Sequence, residues 1–318
     1  MKWLKRAEDI INGDSLKTDE AIELLNLSKS SMPELLHAAS FIKQRCLSDR
    51  KAVCSIINVK SGGCSENCSF CAQSVHHDTE VDEFPFLKKD EVVEKALEDE
   101  PYATRFSIVS SGRNLSKKDV ETAAECIEAV SCKTAHRSCA SLGTLSLSQL
   151  IKLKKAGLKR YHHNLETAPS FFSEICTTHT YEERIQTIES VKKAGLELCS
   201  GGIFGAGETN EQQVEFFETI KKFNPDALPL NFLVPIKGTP LGNLELMPVF
   251  EAVKIIALSR FMFPKTDIKI GGGRMEVFRD MQSLVFLAGA NGFITGSLLT
   301  VKGRSPEDDM NVIAQISL

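Results

Sequence analysis

VCSIINVKSGGCSENCSFC, residues 53–71, runs from branched and apolar residues through two glycines into three cysteines spaced CxxxCxxC. Its first eight residues read as a buried β-strand, and the remainder as the loop that leaves the strand's C-terminal end. The same unit returns along the chain: a short branched run, a polar or glycine-bearing turn, then an amphipathic stretch. Strand segments recur at 105–112, 136–143, 159–166, 196–205, 227–234, 266–273 and 292–299. Between them lie helical stretches such as SKKDVETAAECIEAV, SLSQLIKLKKAG, YEERIQTIESVKKAG and MPVFEAVKIIALSRFM. Two of these end in Lys-Ala-Gly, where glycine allows a left-handed stop. Eight strands alternating with helices fit a single α/β domain, a (β/α)8 TIM-type barrel, better than an open sheet. The cysteine loop then sits on the rim where such barrels place their chemistry.

The chain has 318 residues, 42% hydrophobic and 25% charged, enough for a substantial core. Residues 18–48 read as helices with Pro33 early in the second. The expected division is an N-terminal helical extension over 1–50, the barrel over 51–302 and a C-terminal tail over 303–318. A net charge of −4 gives no reason to expect nucleic acid or an anionic membrane as partner. No apolar run reaches the roughly 18 residues of a membrane span. The start, MKWLKRAEDIINGD, lacks the apolar centre of a signal peptide, which points to the cytoplasm. There thiols stay reduced, and ten cysteines suggest metal rather than disulfides.

Zinc at the 64–71 loop wants a further Cys or His pair, and the nearby histidines are His76 and His77. A thioredoxin-type motif uses CxxC and leaves Cys64 unexplained. The spacing instead resembles the signature of radical S-adenosylmethionine (SAM) enzymes. In these, three thiolates hold a 4Fe-4S cluster and the open iron is chelated by SAM. The resemblance implies Cys64, Cys68 and Cys71 as ligands and Phe70 as the aromatic beside the adenine. GIFGAGET (202–209), whose glycines are followed by Glu208, is in keeping with a ligand approaching backbone at the end of the fifth strand. A structural zinc, or a tight turn at those glycines, is the plainer reading of each.

A closer resemblance runs from about residue 50 to residue 302. CSENCSFCAQS, SCASLGTLS, YHHNLETAP, TTHTYEERIQTIESVKKAGLELCSGGIFGAGET, PLNFLVPIKGTPL and LAGAN are similar, in order and spacing, to the biotin synthases. The resemblance implies radical insertion of sulfur into dethiobiotin, with the sulfur drawn from an auxiliary Fe–S cluster. It further implies a flavodoxin- or ferredoxin-type electron donor and a homodimer. Asn164 and Glu166, two apart and so on one face of the fourth strand, match contacts to the SAM ribose and the substrate ureido group. The usual residue at 166 is Asp, and Glu adds a methylene. Arg184 matches the partner of the SAM carboxylate, Asn231 a ureido contact, and Thr300 a contact to the substrate tail beside Val301. Other barrels of the same subgroup, the hydrogenase maturases and methylornithine synthases, share the loop. A non-catalytic Fe–S or zinc protein is the reading from another class.

The chain departs from the family at the auxiliary cluster, where three cysteines and an arginine are usual. Cys139 and Cys199 are present, but the second-strand cysteine is Ser107 and the seventh-strand arginine is Lys269. Barrel layers take side chains from alternate strands, which would group Cys54, Cys139, Cys199 and Lys269. The grouping suggests a four-iron auxiliary cluster on the three cysteines, resembling the 4Fe-5S cluster of variant biotin synthases rather than 2Fe-2S. Cys176 is a candidate fourth ligand, and a plain buried thiol is the alternative for Cys54. Cys46, Cys126 and Cys132 fall on helical stretches and are read as packing residues.

Overall fold

Ser146, Thr180 and Thr209 each accept a hydrogen bond from the backbone N–H three residues on. The Gln or Glu found there returns to the capping residue's own amide. Ser116 makes the first half of this pattern with Asp119. These caps open the helices Lys117–Lys133, Leu147–Lys155, Tyr181–Lys193 and Asn210–Lys221. The second and third of them stop at Gly157 and Gly195, whose φ values of 113° and 67° few side chains tolerate.

The computed structural model describes residues 1–296 and 303–316. The strands are β1 (Cys54–Lys60), β2 (Arg105–Ser110), β3 (Arg137–Ser141), β4 (Arg160–His162) and β5 (Glu197–Cys199). They continue with β6 (Gly202–Phe204), β7 (Ala227–Phe232), β8 (Asp267–Ile270) and β9 (Gly292–Thr295). All pair in parallel, in the order β5-β4-β3-β2-β1-β9-β8-β7-β6, and a β5–β7 pairing at Cys199 and Ala227 closes the ring. β5 and β6 are two halves of one position, so the sheet is a closed (β/α)8 barrel.

The sequence reads 196–205 as one strand, but it breaks at Ser200 and Gly201. A Cβ on Gly201 would lie 1.8 Å from the Pro229 carbonyl oxygen, so backbone there is pressed against β7. The fourth strand is also shorter than its pattern. β4 ends at His162, and Asn164 and Glu166 lie beyond it. Glu166 takes a φ of 69°, and its carbonyl accepts the Ile203 N–H at 2.7 Å, bridging to β6.

The helices Lys2–Ile11, Thr18–Leu25 and Met32–Leu47 cover one side of the barrel by packing on Val249–Met262, and Pro33 lies in the first turn of the third. Every residue from Ala252 to Met262 is buried, and the cations Lys254 and Arg260 among them are satisfied by backbone carbonyls. Trp3 sets its edge on Phe261 at 5.9 Å, and Lys254 Nζ donates to the Leu25 carbonyl at 2.6 Å. The expected C-terminal tail carries a helix, Pro306–Ile316. Its fully buried Asp309 accepts two 2.8 Å bonds from Arg274. Among the described residues no helix is long and apolar enough to cross a membrane.

Candidate active site

The loop after β1 brings Cys64, Cys68, Phe70 and Cys71 to a cavity of about 410 Å³ at the C-terminal ends of the strands. The loop is tied down by backbone bonds. Cys64 N–H donates to Gln73 O at 3.0 Å, Val75 N–H to Cys64 O at 2.9 Å, and Gly62 N–H to Gln73 Oε1 at 2.6 Å. Asn67 Oδ1 accepts the Thr177 and Thr178 amides at 3.0 and 3.3 Å, which docks the segment before Tyr181–Lys193 against the loop. Burial pushes the Cys71 thiol up to about 11. All three cysteines are free thiols, and three thiols lining one cavity suit a cluster that keeps an open iron.

Asn164, Glu166, Arg184 and Asn231 line the same cavity. Asn164 Nδ2 donates to Glu166 Oε2 at 3.3 Å, while its Oδ1 accepts the Gly201 N–H at 3.1 Å. The expectation that 164 and 166 share a strand face is therefore corrected. A positive-φ turn, not strand alternation, brings them together. Arg184 Nη1 donates to the Asn164 carbonyl at 3.0 Å and lies 3.7 Å from Glu166 Oε1. Burial raises the Glu166 carboxyl above its ordinary range, with Arg184 opposing. Asn231 spans Gly202 O and Gly272 N–H at 3.1 and 2.9 Å, keeping one donor hydrogen and one lone pair for a ligand. Glu208 holds its glycine loop by accepting the Gly205 and Ala206 amides, each at 2.8 Å. Thr300 and Val301 lie outside the described residues.

Ile56, Ser107, Ser141 and His162 line the cavity toward the barrel interior. Each lies two residues after Cys54, Arg105, Cys139 or Arg160, so these four sit one side-chain layer down, about 6.6 Å along the strands. Cys54, Cys139, Cys199 and Lys269 are all at most 1% exposed. Lys269 Nζ lies 3.0 Å from Cys54 Sγ. Burial lowers the Lys269 pKa, but Cys54 and Cys199 outweigh it and hold the ammonium above its usual value. Burial pushes Cys139 up to about 11, with Cys54 adding to it and Arg105, Arg160 and Lys269 opposing. Three thiols facing three cations make a site for an anionic group with sulfur donors. The donor set fits an Fe–S cluster on chemistry alone.

Cys176 is not part of this deep group. Its Sγ lies 3.7 Å from Cys68 Sγ at the rim and 3.2 Å from His179 Nδ1, so the expectation of a fourth deep ligand is corrected. The docking of Thr177 and Thr178 on Asn67 carries it there. Cys126 is buried on Lys117–Lys133 as a packing residue, whereas Cys132 on the same helix is exposed. Sequence reasoning missed Arg105 and Arg160. Strand alternation could have found them, since each precedes an inward residue, Ser107 or His162, by two. It also missed His179, which pairs with Glu66 through Nδ1 and accepts from Arg184 Nε at 3.0 Å through Nε2. No local spacing links those three.

Residues 58–220 match the Radical SAM superfamily, and residues 229–318 the Biotin and Thiamin Synthesis associated domain. A biotin synthase of Syntrophus aciditrophicus (strain SB) is 47% identical over 300 residues, 94% of this chain and 92% of that protein. One of Carboxydothermus hydrogenoformans is 42% identical over 314 residues, 98% of this chain and 97% of that protein. Among solved structures, a methylornithine synthase superposes with a TM-score of 0.88 at 19% identity, covering 98% of this chain and 96% of that one. At that identity the likeness is one of fold.

Proposed function

The chain belongs to the biotin synthase family of radical SAM enzymes, and from that premise we propose that it converts dethiobiotin to biotin with sulfur from a deep auxiliary cluster. It is a radical SAM sulfurtransferase. The observation that carries the finer reading is the layering: three buried thiols and Lys269 beneath the floor of a cavity whose mouth holds three more thiols. A methylornithine synthase-like reaction is supported by fold likeness alone.

In this reading Cys64, Cys68 and Cys71 hold the rim 4Fe-4S cluster, and Cys54, Cys139 and Cys199 a deep cluster of four-iron type. When bound, the rim cluster with SAM supplies hydrogen-abstracting radical chemistry and the deep cluster supplies sulfur. The chain's own residues position and shield. Arg184 offers a forked guanidinium to the SAM carboxylate, Phe70 an apolar face to the adenine, and Asn164 with Glu166 acceptors to the ribose. Asn164 and Asn231 carry the remaining amide hydrogens toward a ureido group, and Thr300 is assigned to the substrate tail by the family resemblance alone. Ile56, Ile203 and Ile294 line the cavity with apolar surface that keeps water from the reacting carbons. The division into 1–50, 51–302 and 303–318, a homodimer, a flavodoxin- or ferredoxin-type donor and residence in the cytoplasm belong to the same proposal.

Anaerobically reconstituted protein given SAM, a reductant and dethiobiotin is expected to yield biotin and to hold about eight irons per chain. Cys54→Ala is expected to retain about four irons and SAM cleavage while losing biotin formation. About six irons in the unaltered protein, or biotin made by Cys54→Ala, contradicts the proposed deep cluster.

A further inference from the structure

Arg160 opens β4, between Cys139 on β3 and Glu197 on β5 in the strand register. The residue is 3% exposed. Its Nε donates to Glu197 Oε2 at 2.9 Å, and Nη2 lies 2.8 Å from the same oxygen. This side-on clamp occupies one edge of the guanidinium. Nη1, outside it, is buried and has no hydrogen-bond partner among the described residues. A buried donor left unsatisfied costs about 1–3 kcal/mol, more when charged, so such an atom asks for an acceptor. Two neighbours share its condition. Ser107 Oγ and His162 Nε2 are also buried without partners, and register sets Ser107 beside Cys139 and His162 beside Cys199.

We propose that Arg160 is the hydrogen-bond donor to the anionic sulfur held among Cys54, Cys139 and Cys199, acting as a positioning residue for the sulfur that is transferred. The inference rests on the deep-cluster reading above. Lys269, on β8, already donates to Cys54 Sγ at 3.0 Å, a ligand sulfur in this reading, whereas Arg160 Nη1 has no partner among the described residues. Arg105 gives one nitrogen to Glu197 and approaches Cys139 only at 3.9 Å. Burial would weaken the Arg160 proton's hold, but Cys199, Cys139 and Glu197 outweigh it, so the group stays a cationic donor and is no metal ligand. Hydrogen bonds to cluster sulfurs favour the more negative, reduced state and raise the potential.

The test compares reconstituted holoenzyme with its Arg160→Lys and Arg160→Met variants by iron and acid-labile sulfide content and by redox titration followed by electron paramagnetic resonance. The rim cluster signal serves as internal reference. Both variants are expected to keep about eight irons and to show a lower deep-cluster potential. Met should shift it further than Lys, which keeps the charge beside Glu197 but loses the second arm of the fork. An unshifted deep-cluster potential in the variants overturns the proposal, as does a drop in melting temperature with no spectral change. Should Arg160→Met fail to fold, Arg160→Lys decides alone. Unaltered protein holding only about four irons sinks the deep-cluster reading itself, a result separable from an unmoved potential.

Discussion

Arg105, Arg137 and Arg160, the first residues of β2, β3 and β4, converge on the carboxylate of Glu197, the first residue of β5. Burial would raise the Glu197 pKa, but the three guanidiniums hold it below the ordinary carboxylate range. A depressed folded pKa contributes stability that is present above the unfolded value and is lost as pH falls through the folded one. Glu197→Gln is therefore expected to lower stability at neutral pH by about 2 kcal/mol, since it takes the near counter-charge from buried Arg160 and leaves Asp267 4.0 Å away. The gap between variant and parent should close in acid, below the usual carboxylate range. Urea denaturation across pH checks both statements, and a gap that persists in acid would assign the loss to packing. None of this was legible from Glu197 itself, which reads as a solvated charge at the end of a strand. Its partners lie 37 to 92 positions away in sequence.

The break between β5 and β6 shows what an element can hide. CSGG reads as a continuous glycine-bearing strand, because glycine in a strand marks a bulge, a bend or a close approach equally well. In the barrel it is a close approach. Gly201 faces the Pro229 carbonyl, and a Cβ on Gly202 would lie 2.5 Å from the Glu166 carbonyl oxygen. The same turn lets Gly201 N–H fix Asn164. Gly201→Ala is expected to cost about 2 kcal/mol through overpacking and to weaken SAM binding as Asn164 and Glu166 move. Denaturation midpoints and titration calorimetry on reconstituted protein measure the two effects. Full SAM affinity in the variant would show that Asn164 and Glu166 hold their places without Gly201. The ends of Leu147–Lys155 and Tyr181–Lys193 were easier to read than this strand, because Lys-Ala-Gly announces each stop.

At the scale of the molecule, the C-terminal helix is fastened to the barrel by Arg274 and Asp309, an ion pair with both side chains at most 4% exposed. Arg274 also lies over the Phe293 ring of β9 at 4.2 Å. Asp309→Asn removes the counter-charge of a buried guanidinium and is expected to cost about 3–5 kcal/mol. Thermal unfolding followed by hydrogen exchange should show Pro306–Ile316 losing protection first. Uniform loss across the barrel would mean the helix is not separately held. By itself the sequence determined the repeating strand–helix unit, the rim position of the three-cysteine loop and the grouping of Cys54, Cys139, Cys199 and Lys269, because periods of 2 and 3.6 are local properties of the backbone. Only the tertiary structure decided that Cys176 meets Cys68 and that Glu197 gathers three arginines. Those meetings depend on ring closure and strand register, which bring together residues that no window of the chain contains.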